Sequence, residues 1–289
     1  MVRLCAFSDE AAESLDGQIA ALMRNEIFLT ELRTVDGTGI GKISAATAKE
    51  ARKRLDGGGI GVWSIGSPYG KSSLGEGFDE GALFRQLRHL CELAVILGCD
   101  KLRIFSFYDA FEKKNQVLDL LSRSVEIAGE YGVGLYHENE KDIYGCVPDR
   151  VKELTAVKGL RFVYDPANYI ECGISSAESM EKVFGLASYY HVKDVIAATG
   201  EMVPAGEGDG DIPELLRRIG PDAVLTVEPH LSLFTGLSEL SGPSGANKYG
   251  LKTKYQFDSN DTSFDAAVSA LKGLLAGAGY RRADRGYVK

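Results

Sequence analysis

Eight short apolar runs, spaced about 30 residues apart, punctuate the chain, and each is followed by a longer stretch whose apolar residues recur at helical spacing. The runs read as strands at Val2–Phe7, Phe28–Leu32, Gly61–Ile65, Lys101–Ser106, Val133–His137, Leu160–Tyr164, Ser188–Val192 and Ala223–Val227. Helices are expected at Glu13–Arg24, Ala45–Leu55, Ala82–Leu97, Asn115–Tyr131, Pro148–Val157, Ala177–Leu186, Ile212–Ile219 and Phe264–Leu275. In the third of these, Leu83, Leu87, Leu90, Leu93 and Leu97 mark one face. Repeated βα units imply a parallel sheet, and eight of them suggest an α/β fold closed as a (β/α)₈ barrel. The alternative is an open doubly wound sheet. It favours a glycine-rich dinucleotide turn after the first strand, where FSDEAAES has no glycine.

A barrel of this kind uses roughly 250 residues, so 289 residues fit one domain spanning 1–289. Two loops are long, at about 66–77 and 229–261, the second containing SGPSGANKYG. Both leave the strand ends where barrel active sites lie. Each reads as a lid or an oligomer contact, or as an excursion without function.

Composition narrows the function classes. The net charge is −8 and no basic stripe is visible, which argues against a nucleic-acid partner. The five cysteines, Cys5, Cys91, Cys99, Cys146 and Cys172, form no CxxC pair, so free thiols in a reducing, cytoplasmic setting are expected. No apolar run approaches the roughly 20 residues that span a bilayer, and MVRLCAFSDE does not read as a signal peptide. Homo-oligomerisation stays open.

Chemistry concentrates at the ends of the last four strands. They run into Glu138 in HENEKDIYG, Asp165 in YDPANY, His191 in YYHVKD and Glu228 in VEPHL. In a barrel these ends converge on one mouth. Strand side chains alternate between faces, so inward Glu138 puts His137 outward, and inward His191 brings Tyr189 and Lys193 with it. One acid after a strand is most simply a helix cap. Four metal-binding side chains on successive strands are hard to explain that way. Three carboxylates and one imidazole suit one divalent ion, Mn²⁺, Mg²⁺ or Co²⁺, with Zn²⁺ also open.

Other residues carry paired readings. Lys193 binds a substrate oxygen or pairs with Asp194, Glu207 or Asp209. Asn168 donates to substrate or makes a turn after Pro166. His230 reaches the mouth or sits in a surface loop. Glu207, in PAGEGDGD, binds substrate or Lys193. Arg103 and Glu31 line the mouth or, more simply, form a structural ion pair, and His89 reads as a structural helix residue.

At SDE, ELRTVDG, SIGSPYGK, HENEKDIYG, YDPANYIECG, HVKDVIAATGEMVPAGEGDG and VEPHL, nearly the whole chain resembles the xylose isomerase-like TIM-barrel superfamily. That superfamily includes sugar phosphate isomerases and epimerases, ketose 3-epimerases, inosose dehydratase and endonuclease IV. The resemblance implies a metal held by Glu138, Asp165, His191 and Glu228, with Glu138 and Glu228 as the catalytic acid/base pair. It implies an isomerase or epimerase that moves a proton next to the carbonyl of a small sugar or polyol-ketone through a metal-stabilised enediolate. An inosose-dehydratase-like lyase is the alternative. An endonuclease is disfavoured by the four histidines and the acidic charge. Asn168 stands where the epimerases commonly carry a substrate-contacting His, and Tyr144 where they carry a further Glu.

Overall fold

The computed structural model describes residues 1–234 and 252–289. Eight parallel strands close into a barrel: β1 (Arg3–Ala6), β2 (Leu29–Leu32), β3 (Gly61–Gly66), β4 (Lys101–Ile104), β5 (Gly134–Glu138), β6 (Arg161–Tyr164), β7 (Ala187–Val192) and β8 (Val224–Val227). Each strand pairs with its sequence neighbour, and β8 returns to β1 with Cys5 opposite Thr226. The closed barrel is therefore the arrangement, and the open sheet is excluded.

Helices α1 (Leu15–Arg24), α2 (Ala45–Gly57), α3 (Glu80–Leu97), α4 (Lys114–Gly129), α5 (Pro148–Leu154), α6 (Pro166–Glu171), α7 (Ser176–Val183), α8 (Ile212–Arg218) and α9 (Asn260–Gly277) connect the strands. Short polar caps start them: Ser14, Ser44, Asp79, Ser175, Asp211 and Ser259 each accept a hydrogen bond from a first-turn N–H. Gly98, at φ 67°, stops α3 in the left-handed conformation that glycine adopts without a Cβ penalty. Leu83, Leu87, Leu90, Leu93 and Leu97 of α3 are all buried. Burying a leucine contributes about 2 kcal/mol, far more than helix propensity alone. The helix α6 and the hairpin Asp194–Ile196/Glu201–Val203 go beyond the expected elements, and both adjoin the mouth.

Alternation along the strands sorts the barrel interior into levels. An aromatic floor crosses the middle, where Tyr189 meets Trp63 at 5.9 Å and Tyr136 at 5.7 Å between ring centres. Cys5, Val163 and Val224 fill it in. Below it, Arg3 and Lys101 lie over the Trp63 ring and Arg161 over Tyr136. Above it, Glu31, Arg103, Glu138, His191 and Thr226 meet beside the rings of Phe7 and Phe105.

The loop after β3 is ordered by the loop after β4. Phe105 and Phe107 donate backbone hydrogen bonds to the carbonyls of Tyr69 and Gly70, and Leu74 donates to Tyr108. Gly70 has φ +83°, and a Cβ there would lie 2.2 Å from the Phe105 carbonyl oxygen, so the crossing needs glycine. Of the loop expected at 229–261, residues 235–251 lie outside the described residues. Its far end docks on the hairpin, where Met202 donates to the Lys252 carbonyl. All five cysteines are free thiols. No helix among the described residues is long and apolar enough to cross a membrane.

Candidate metal centre

Glu138, Asp165, His191 and Glu228 converge above the aromatic floor. One ligand atom from each lies within 4.8 Å of the others, and none of the four is more than 3% exposed. The alternation of β5 and β7 brings this about: Tyr136 and Tyr189 build the floor, and two residues later Glu138 and His191 build the site. His191 Nδ1 lies 3.0 Å from Glu138 Oε1 and 3.2 Å from Glu228 Oε2. Its Nε2 lies 3.1 Å from Glu31 Oε2. Glu31 is held in turn by the hydroxyls of Tyr189 (2.9 Å) and Thr226 (3.3 Å). Carboxyl groups flank both ring nitrogens, an arrangement that favours the protonated ring. Burial opposes that charge, but Glu138 and Glu31 outweigh it and hold the imidazole well above its ordinary pKa.

Asp165 caps α6 by accepting from the Asn168 N–H at 3.1 Å. Asn139 clamps the Asp165 backbone, donating to its carbonyl at 2.9 Å and accepting from its N–H at 3.0 Å. The single-residue reading of this aspartate as a cap is thus correct for Oδ1. Oδ2 is different. It lies 3.0 Å from Lys193 Nζ yet is buried without a hydrogen-bond partner. Burial pushes this carboxyl up to about 6 against the pull of Lys193. Glu228 Oε2 is likewise buried without a hydrogen bond. Two partnerless buried carboxylate oxygens beside an imidazole fit a cation. The hard, oxygen-rich donor set suits a divalent one.

Each glutamate is gripped by an arginine. Arg103 Nε lies 3.2 Å from Glu138 Oε2, and Arg33 Nη1 donates to Glu228 Oε1 at 3.0 Å. Burial alone raises both carboxyls, but His191 and Arg103 hold Glu138 below its ordinary range, and Lys193 with His191 holds Glu228 well below it. The Arg103–Glu31 pair expected from the sequence exists at 3.8 Å, but each residue has a nearer partner within the site.

Lys193 donates to Asn168 Oδ1 at 2.8 Å and faces Asp165 and Glu228, not the three acids considered from sequence. Asp194 accepts from the N–H groups of Gly206, Gly208 and Gly210, and Asp209 from that of Ala197. Asn168 links Lys193 to Glu138, donating to Glu138 Oε1 at 3.2 Å. His230 Nε2 lies 3.5 Å from both Glu10 Oε1 and Glu228 Oε1, with its backbone at φ +47°. Glu207 is placed elsewhere: its side chain is 44% exposed and its carboxylate meets Tyr255 and Lys254. His137 is buried outside the barrel wall, bonded to Ser106 Oγ, and His89 bonds the Ile43 carbonyl. Tyr144 bonds Glu153 and Arg150, away from the mouth. The sequence reading missed Arg33, Asp9 and Glu10. Arg33 had a signal, since it lies two residues beyond inward Glu31.

A family model described as xylose isomerase-like TIM barrel matches residues 26–233. The chain belongs to that family. No curated protein matches the sequence. Among solved structures, an L-ribulose 3-epimerase superposes with TM-score 0.71 at 17% identity, covering 96% of each chain. The probable 3-DHS dehydratase AsbF of Bacillus anthracis gives 0.68 at 16%, covering 94% of this chain and 99% of its own. The IOLI protein, solved with a binding zinc atom, gives 0.68 at 15%, covering 96% and 99%. At these identities the likeness concerns the fold alone.

Proposed function

We propose that this family member is a divalent-metal-dependent isomerase or epimerase acting on a small sugar or polyol-ketone. One observation carries the reading: four ligand atoms from β5 to β8 are focused within 4.8 Å, two of the carboxylate oxygens lacking any hydrogen-bond partner. Glu138, Asp165, Glu228 and the Nδ1 of His191 would hold the ion, with His191 Nε2–H donating to Glu31 as the orienting partner. When bound, a divalent ion supplies Lewis-acid charge to a carbonyl oxygen and so makes the neighbouring C–H more acidic.

The chain's own groups do the rest. His191 and Arg103 favour the ionised form of Glu138, and Lys193 with His191 that of Glu228, the form that a proton acceptor needs. One glutamate removes the proton beside the carbonyl, and the other returns one to the opposite face. Lys193 and Asn168 stand beside Asp165, placed to bind substrate hydroxyls. The sealed aromatic floor leaves the mouth as the substrate's approach.

The family's metal chemistry also serves β-elimination, and two departures favour that second reading. Asn168 and Tyr144 replace the His and Glu of the epimerase pattern, and Lys193 provides a buried cation for a departing hydroxyl. Incubating the Mn²⁺-loaded protein with ketoses and with a β-hydroxy cyclic ketone tests both. Epimer formation without absorbance change supports the first reading; loss of water with a new conjugated absorbance supports the second. Glu138→Gln or Glu228→Gln should lower turnover by about 10²-fold or more. Normal turnover in either removes that glutamate from the acid/base role.

A further inference from the structure

We propose that Arg33 is a positioning residue that fixes the plane of the Glu228 carboxylate, with one oxygen on the guanidinium and the other facing His191. A carboxylate can present either oxygen, and rotation about its last bond is soft. Here that freedom is removed on one side only. Arg33 Nη1 donates to Glu228 Oε1 at 3.0 Å, while Oε2 points at His191 Nδ1 from 3.2 Å and has no hydrogen bond. Arg33 thus engages the oxygen that the cluster does not use and leaves bare the one that it does.

The guanidinium cannot easily shift. Nε and Nη2 make a two-pronged contact with Asp9 at 2.9 and 3.0 Å, and Nη2 also donates to Glu10 at 3.2 Å. Its central carbon lies over the rings of Phe7 (4.3 Å) and Phe234 (4.7 Å), and its side chain is 2% exposed. Asp9 and Glu10 come from the turn after β1, and Arg33 follows β2. The first two strands therefore orient a residue of the last. A planar fork is needed, because three carboxylates are met at once in one plane of donors; the single ammonium of a lysine cannot reach all three.

The second grouping of ligand-type residues, Glu10, Glu228 and His230, falls under the same account. The oxygens of Glu10 and Glu228 that approach His230 Nε2 are the ones Arg33 already holds, so the arginine supplies positive charge there.

Arg33→Lys separates orientation from charge, since the charge is kept. The metal arm of the test rests on the proposed metal centre; the structural arm does not. In a crystal structure of metal-free Arg33→Lys, the Glu228 carboxylate should turn so that neither of its oxygens keeps the 3.2 Å approach to His191 Nδ1. Titration with Mn²⁺ by calorimetry should show affinity weakened by about tenfold or more relative to the wild-type chain. Asp9→Asn, which keeps Arg33 but loosens its anchor, should move both readouts in the same direction and covers the case in which the lysine variant fails to fold. An unmoved Glu228 in a folded variant overturns the proposal, as does wild-type Mn²⁺ affinity. A wild-type chain that takes up no Mn²⁺ overturns the metal centre instead, and the orientation of Glu228 in the variants then decides the role of Arg33.

Discussion

His191 and His137 are both wholly buried, yet they have opposite electrical states. His191 has carboxyl groups at both nitrogens, and they favour the imidazolium in the metal-free protein. A metal needs the Nδ1 lone pair, so loading must expel a proton. Apparent Mn²⁺ affinity should therefore rise with pH, by about tenfold per unit while one proton is released, and level off only above the raised imidazole value. Calorimetry at several pH values checks this, and His191→Ala should abolish the dependence along with most of the occupancy. His137 is the reverse. It has one partner, Ser106, and burial pushes it down from 6.5 to about 3. The unfolded chain binds a proton there below 6.5 while the folded chain does not. The neutral form thus imposes no penalty above that value, and stability falls as pH drops from 6.5 towards 3. The slope attributable to this residue is up to about 1.4 kcal/mol per pH unit. Urea unfolding of His137→Gln across that range should show a flatter pH profile than the wild type.

Elements explain what could be read in advance. All eight strands were legible because strands buried on both faces read as short apolar runs, and the two-residue alternation along them carried Glu138, His191 and Lys193 to one side. Asp165 and Glu228 followed because strand ends of a closed barrel share a mouth. Arg33 obeys the same alternation, but it lies past the last β2 residue, where the sequence turns into TVDG, and its partners Asp9 and Glu10 sit in a turn with no period at all. His230 reaches Glu228 only through a left-handed backbone. Glu207 turns outward because its neighbouring glycines wrap their N–H groups around Asp194, a contact between segments that no spacing announces. The loop after β3 makes the same point. Gly70→Ala places a Cβ against the Phe105 carbonyl and forces a left-handed residue with a side chain. We expect a loss on the order of 2 kcal/mol or more, measurable by urea titration. Unchanged stability would show that the crossing has slack.

At the scale of the whole molecule, the ligands come from strands spread through the second half of the chain, so no local segment forms the site. An ion that binds only the folded state must then stabilise the entire barrel. Mn²⁺ at about a hundredfold above its Kd should add about 2.7 kcal/mol and raise Tm by about 5 °C, reversed by EDTA. A melting curve indifferent to both additions would speak against the centre.

The aromatic floor has an electrical counterpart. Arg3, Lys101 and Arg161 sit beneath Trp63 and Tyr136, while Glu31, Glu138, Asp165 and Glu228 sit above. Both ends mix signs: Lys101 pairs with Asp100 below, while Arg33, Arg103, Lys193 and His191 stand among the acids above. A dication entering the mouth therefore meets carboxylates that already hold cations, so its uptake is an exchange of partners, with Lys193 the first cation to be displaced from Asp165.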